Sequence, residues 1–268
     1  MRAHRSLIVL LPVLALASAI VYTVYHSSSA PMMHSTDNAM RVYSRSLCAY
    51  RMLFYDPLAL EYPNQTLLRQ IEYIVNESGG CLDAYIGEEA GLEPLLHLDK
   101  YDIIVIRAHG GIWDGRGFYF ATGLSPQGPY DIPVLLVQKL AKNGVLEAGS
   151  PAVLSEGAVI SSSEYIIVGA LFFKHVARLK KGAVVVVASC DSLNDPRFVE
   201  AVLTAGAVAY IGWMGKTTPS AIDDMLPSLI KLIVEHLDNP CEALTNLKII
   251  GVKLVAPTGA VLSGVCKE

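Results

Sequence analysis

An uninterrupted apolar run at residues 183–188, with the sequence AVVVVA, constrains the fold of this chain more than any other feature. β-Branched residues without polar alternation are typical of a strand that is buried on both faces, as in the centre of a parallel sheet. The run is followed directly by Ser189 and Cys190. Ligands of open α/β sheets bind outside the carboxyl ends of the strands, so Cys190 lies where a thiol can take part in chemistry.

A second apolar run ends in the same way. Residues 101–108 read YDIIVIRA, and His109 and Gly110 follow. A thiolate that attacks a carbonyl needs a base nearby, and a histidine can later protonate the leaving amine. A glycine after the histidine leaves its backbone N–H unobstructed, so Gly110 and Cys190 can form an oxyanion hole. We therefore predict a Cys190 nucleophile and a His109 general base, although no third residue that would orient the imidazole is evident.

The elements around these two strands predict one α/β domain over residues 42–268. Strand and helix patterns alternate from residue 51 to residue 108, which is typical of right-handed parallel crossovers. Downstream, we predict a helix from Pro196, capped by Asp195, and then a buried strand at residues 207–212 and an amphipathic helix at residues 221–237. An apolar stretch at residues 247–255 completes the predicted domain.

A long insertion separates the two strands that carry His109 and Cys190. An insertion of this length is usually a lid or a binding loop. Within it, residues 117–122 predict a short strand and residues 134–142 a helix. At its end, Ser161 and Glu164 form a capping box that predicts one apolar helix up to about Leu179.

Composition excludes several classes of protein. The chain has 268 residues, is 52% hydrophobic and carries a formal net charge of −4, which permits a large core. It lacks the basic stripe of a nucleic-acid-binding protein. Its five cysteines are an odd number without metal-ligand spacing, so at least one is unpaired. Cys190 is the candidate, the pairing of the other four stays open, and we predict no metal and no cofactor.

The N-terminus predicts a hydrophobic helix. Residues 7–24 are mostly apolar and follow Arg2 and Arg5. As a helix they would span about 27 Å, close to the roughly 30 Å hydrocarbon core of a membrane. We interpret residues 1–25 as a membrane anchor or a signal peptide and residues 26–41 as a linker. The positive-inside rule places the rest of the chain outside the cytoplasm. We thus expect a single-pass cell-membrane protein with an extracytoplasmic domain, or a secreted one if the segment is cleaved.

The order of the motifs along the chain resembles the caspase-like clan of cysteine peptidases. An apolar strand, His109-Gly110, a long insertion, a second apolar strand and then Ala188-Ser189-Cys190-Asp191 occur in that order. The clan includes caspases, metacaspases, legumains, gingipains, separases and CHAT domains. The downstream segments 203–207 and Gly212-Trp213 are most similar to the gingipain and CHAT branches. The resemblance covers about residues 51–254, and its two strand-end motifs are its specific part.

The resemblance implies a three-layer α/β/α caspase-like fold with a mostly parallel central sheet. It also implies a thiol protease, an endopeptidase with a Cys190–His109 dyad that acts on a protein or peptide substrate. The P1 side chain of that substrate would lie near the strand ends, with Asp191 and Trp213 as candidate substrate-binding residues.

The chain departs from the clan's best-known patterns. The caspase sequence Gln-Ala-Cys-x-Gly is absent, and Ala188 replaces the aspartate of the metacaspase Asp-Ser-Cys. Preference for Asp at P1 is thus unsupported. Asp114, Asp191 or Asp195 can supply an acidic subsite for Arg or Lys, or act as a cap or loop carboxylate. The alternatives to an enzyme are a catalytically inactive caspase-like module that binds a partner, and a binding domain unrelated to peptidases.

Overall fold

The computed structural model describes residues 48–113, 117–124, 159–161, 166–242 and 258–267. The predicted hydrophobic helix and linker at the N-terminus lie outside these residues, as do the predicted helix at residues 134–142, the apolar stretch 247–255 and Asp114. None of the helices within the described ranges combines the length and the apolarity that crossing a bilayer requires.

Ten strands and four α-helices make up the described part of the chain. The strands in chain order are β1 Arg51–Asp56, β2 Cys81–Ile86, β3 Ile103–Arg107, β4 Gly110–Trp113, β5 Gly117–Ala121, β6 Val159–Ser161, β7 Ile166–Gly169, β8 Ala183–Ala188, β9 Ala207–Met214 and β10 Val261–Cys266. The helices are α1 Gln65–Glu77, α2 Ala170–His175, α3 Pro196–Ala205 and α4 Pro219–Glu235. Short 3₁₀ helices occupy Pro57–Leu60, Gly87–Glu89 and Pro94–Lys100.

Six of the strands form the central sheet, in the order β10-β9-β8-β3-β1-β2. Every neighbouring pair is parallel except β9 with β10, which is antiparallel. All residues of β8 are buried, as the apolar run at 183–188 predicts. The predicted α/β architecture with a mostly parallel central sheet is therefore confirmed.

Helices cover both faces of the central sheet. Alternate residues of β3 and β8 point to opposite faces, so Ile104 and Val185 enter one core while Ile103 and Val184 enter the other. The first core also contains residues of α2 and α3, including Phe172, Phe173, Phe198 and Val202. The second contains residues of α1 and α4, including Ile71, Leu229 and Ile230.

A smaller antiparallel sheet, with strand order β4-β5-β7-β6, carries part of the insertion between β3 and β8. One face contributes Phe118, Phe120 and Val168 to the core that contains α2 and α3. The other face carries Tyr119 and its neighbours, described below. The predicted strand at residues 117–122 is confirmed as β5.

The prediction of one long helix between Ser161 and Leu179 is wrong. The chain forms β6 and β7 there, followed by the short helix α2. The run Ile166-Ile167-Val168 has high β propensity, and it pairs with β5. Its apolar residues therefore belong to a sheet that local periodicity did not reveal.

Two disulfides join Cys48 to Cys81 and Cys241 to Cys266. Cys190 is the free cysteine, so the prediction that it is unpaired is confirmed.

Candidate active site

The ends of β3 and β8 bring the His109 and Cys190 segments next to each other. The two strands are parallel neighbours, and Arg107 is in register with Ala188. The Ala108 N–H donates to the Ala188 carbonyl at 3.4 Å. His109 and Cys190 each lie two residues beyond that register pair, so both leave adjacent strands at the carboxyl edge of the sheet.

Gly110 permits a close contact between the two segments. A Cβ atom at this position would overlap the Ser189 hydroxyl and lie 2.9 Å from the Tyr119 carbonyl oxygen. Any larger residue would therefore push the histidine segment away from the segment that carries Cys190. The glycine is a steric requirement of the site as well as a source of an accessible amide.

The backbone N–H of Gly110 is directed off the edge of the smaller sheet. The Ala121 N–H donates to the His109 carbonyl at 2.8 Å, so these two residues form a hydrogen-bonded pair. Bonded and non-bonded pairs alternate in an antiparallel ladder, and Gly110 with Phe120 is the next pair. The Gly110 amide thus points away from β5, and β4 is an edge strand. This amide is therefore not used in the pairing of β4 with β5.

The Cys190 sulfur is held by the backbone of Thr217. The thiol donates to the Thr217 carbonyl at 3.3 Å, and the Thr217 N–H approaches the sulfur at 3.3 Å. Thr217 precedes Thr218, whose side chain caps α4. The loop between β9 and α4 therefore fixes the sulfur atom, while Cys190 itself is only partly buried.

His109 contacts a carboxylate that the sequence did not reveal. Its Nε2 atom lies 3.2 Å from Glu61 Oε1, and the two side chains are 41% and 42% exposed. The Tyr62 ring stands edge-on to the imidazole, with 6.1 Å between the ring centroids. The carboxylate is close enough to form an ion pair with the imidazole when the ring is protonated. Glu61 is thus a candidate for the missing third residue.

A buried ion-pair network holds the segment that carries Glu61. Arg107, the last residue of β3, is fully buried and bonds to Asp56 at 2.8 Å and to Asp223 at 2.6 Å. Its Nη2 atom also donates to the Tyr62 carbonyl at 3.0 Å. Burial opposes the guanidinium charge, but the bonds to Asp223 and Asp56 outweigh it and raise the pKa of Arg107. The cation therefore fixes the chain on both sides of Glu61.

Asp191 gives the chain its turn directly after the cysteine. Its φ is 57°, and Asp191 is the one non-glycine residue with a positive φ among the described residues. Its N–H donates to the Gly215 carbonyl at 2.9 Å, and its carboxylate accepts from the Asn194 side chain at 2.8 Å. Asp191 is therefore close to the site, and its side chain has a local structural partner.

Trp213 and Asp195 are structural residues. The Trp213 side chain is 1% exposed and belongs to the core that contains α1 and α4, so it is a core residue and not the exposed substrate-binding residue that the sequence predicted. Asp195 is 4% exposed, caps α3, and accepts from the Phe118 N–H at 2.9 Å. Its carboxylate also pairs with Arg197 at 3.0 Å. Asp195 was one of three aspartates considered for an acidic subsite. Its carboxylate instead caps α3 and pairs with Arg197.

A cleft of about 250 Å³ opens beside the imidazole, against the outer face of the smaller sheet. It is lined by His109, Gly110, Gly111, Ile112, Tyr119, Ala121 and Ile167.

Comparisons of the sequence with models of known protein families and with characterised proteins gave no match. The functional conclusion therefore depends on the residues of the site.

Proposed function

We propose that this protein is a cysteine endopeptidase of the caspase-like clan, with Cys190 as nucleophile and His109 as general base. The observation that carries the proposal is the placement of both residues at the carboxyl ends of adjacent parallel strands. The contact of Glu61 with the imidazole adds support, because it supplies an orienting group for the base. The layered arrangement of helices on both faces of the sheet is compatible with the fold that the resemblance implies.

In the proposed reaction, the His109 imidazole takes the thiol proton and the Cys190 sulfur attacks the peptide carbonyl carbon. The oxyanion that forms accepts hydrogen bonds from the N–H groups of Gly110 and Cys190. The imidazolium then gives its proton to the amide nitrogen, the C–N bond breaks, and a thioester remains. Water, deprotonated by His109, hydrolyses the thioester and regenerates the thiol. Glu61 stabilises the imidazolium in both halves of the cycle.

We also propose that the enzyme works outside the cytoplasm and is attached to the membrane by its N-terminal segment. The two disulfides support this location, since stable disulfides are typical of oxidising compartments.

The test compares the wild-type chain with Cys190→Ala on a mixed peptide library. We expect cleavage by the wild type alone, and a loss of about 10²–10⁴ in rate for His109→Ala. A thiol-directed peptide inhibitor provides a second readout that does not need turnover. Cys190 is the free cysteine, so an adduct found there by mass spectrometry is specific to the proposed nucleophile.

Equal cleavage by the wild type and Cys190→Ala would refute the proposal. Peptide binding without cleavage and without an adduct would instead support the inactive binding module.

A further inference from the structure

We infer that the cleft beside His109 is the subsite for the substrate residue that follows the scissile bond, and that it selects an aliphatic side chain there. The inference rests on the proposed peptidase function and adds a substrate class to it.

The position of the cleft relative to the base assigns it to the leaving-group side. The general acid must lie within hydrogen-bond reach of the leaving amine nitrogen. The residue that carries this nitrogen therefore lies beside the His109 imidazole. The cleft is lined by His109 and by residues of β4, β5 and β7, and within the described ranges Cys190 and β9 take no part in its lining. It is thus placed for the product that leaves first and not for the acyl group.

The chemistry of the lining favours an aliphatic side chain. Tyr119, Ala121 and Ile167 form a nearly buried apolar cluster on the outer face of the smaller sheet. Apart from the imidazole, none of the described side chains that line the cleft is ionisable in the physiological range. Beyond His109, these residues offer a charged substrate residue no partner of opposite charge to offset its lost hydration.

The size of the cleft suits one side chain. Its volume of about 250 Å³ lies below the roughly 300–1,000 Å³ of pockets that hold whole small molecules. Gly111 leaves part of this space open, because a Cβ atom built there meets no atom within 4 Å. Gly111 pairs with Tyr119 across the strands, so a side chain at position 111 would lie on the same face as the apolar cluster.

The experiment uses the full chain and sets of peptides that differ only in the residue after the scissile bond, which is Leu, Ala, Asp or Lys. For the wild type, we expect kcat/KM for the Leu peptide to exceed that for the Asp and Lys peptides by about 10-fold or more. Equal rates for all four peptides, with Cys190 still labelled by the peptide inhibitor, would overturn the subsite and leave the proposed function intact. Absence of both cleavage and labelling would overturn the proposed function itself.

Two variants of Gly111 test the location of the subsite. Gly111→Val narrows the cleft and should reduce the advantage of Leu over Ala. Gly111→Asp places a carboxylate in it and should raise kcat/KM for the Lys peptide relative to that for the Asp peptide. Both readouts are ratios within one variant, so a lower overall activity does not affect them.

The matched control is Val265→Asp, which adds the same charge to the exposed face of β10, an edge strand of the central sheet. It should retain the wild-type order of peptides. If Gly111→Asp gives the same ratio of the Lys to the Asp peptide as this control, the cleft is not the subsite.

Discussion

Replacing Arg107 by methionine tests whether the buried ion pairs hold the edge of the site together. The side chain is fully buried and donates hydrogen bonds to Asp56, Asp223 and the Tyr62 carbonyl. Met has a similar length but no charge, so the change leaves two carboxylates without their cationic partner, although Asp56 still accepts from the Ala59 N–H and Asp223 from the Asn64 side chain. Removing one partner from a buried ion pair costs about 3–5 kcal/mol. For a domain of this size, each kcal/mol lowers the Tm by about 2–4 °C, so the expected decrease is about 6–20 °C.

The measurement is denaturant unfolding followed by far-UV circular dichroism, with a thermal melt beside it. Arg51→Met is the matched control, since Arg51 pairs with Asp83 at 2.7 Å but is 30% exposed. Loss of such a partly exposed pair costs about 0–1 kcal/mol. Arg107→Lys should fall between the two, because an ammonium keeps the charge but cannot make the bidentate contact with Asp223. If Arg107→Met and Arg51→Met are equally stable, the network does not have the role inferred for it.

Two further predictions concern the base and the buried tyrosines. Glu61→Gln should lower kcat by about 5-fold with little change in KM, because the lost contact acts on the imidazolium and the exposed pair is worth up to about 1 kcal/mol. The difference from the wild type should shrink as ionic strength rises, and no difference at low salt would contradict the positioning role. Burial raises the pKa of Tyr55 and of Tyr210 above the ordinary value of 10.0. The unfolded chain therefore loses these phenolic protons at a lower pH than the folded chain does. Above pH 10.0 the free energy of unfolding should fall as the pH rises, by about 1.4 kcal/mol per pH unit for each tyrosine. Unfolding free energies across the alkaline range check this, and replacing Tyr55 by Phe should reduce the slope; a flat profile would show that these phenols ionise equally in both states.

Local patterns predicted the central strands and most of the helices. The valine run at residues 183–188 is continuous and flanked by turn residues, so its burial in the sheet follows from its composition alone. The start of α3 was predictable because Asp195 and Pro196 carry the capping chemistry in adjacent residues. The placement of His109 and Cys190 at strand ends was predictable for the same reason, since each motif directly follows its strand.

Other elements depended on partners that are distant in the sequence. The apolar residues 166–173 suit a helix or a strand, and pairing with β5 decided for a strand over Ile166–Gly169. β10 was not predicted, because its short sequence becomes a strand only against β9. Trp213 follows a glycine at the end of a predicted strand, but β9 continues to Met214 and turns the indole into the core.

The candidate site likewise combines residues that local sequence predicted with residues that only the tertiary structure brought together. The sequence by itself predicted that Cys190, His109 and Gly110 follow two neighbouring buried strands, because each lies directly after a strand whose own composition specifies it. Only the tertiary structure added Glu61, which follows the 3₁₀ helix Pro57–Leu60 after β1 and reaches His109 because β1 is the neighbour of β3 in the sheet. It also decided that Arg107 is a buried cation and that the Asp195 carboxylate, besides capping α3, accepts a hydrogen bond from the Phe118 N–H. The contacts of Glu61 with His109, of Arg107 with Asp56 and of Asp195 with Phe118 each join residues more than 40 positions apart, and no local pattern encodes such pairings.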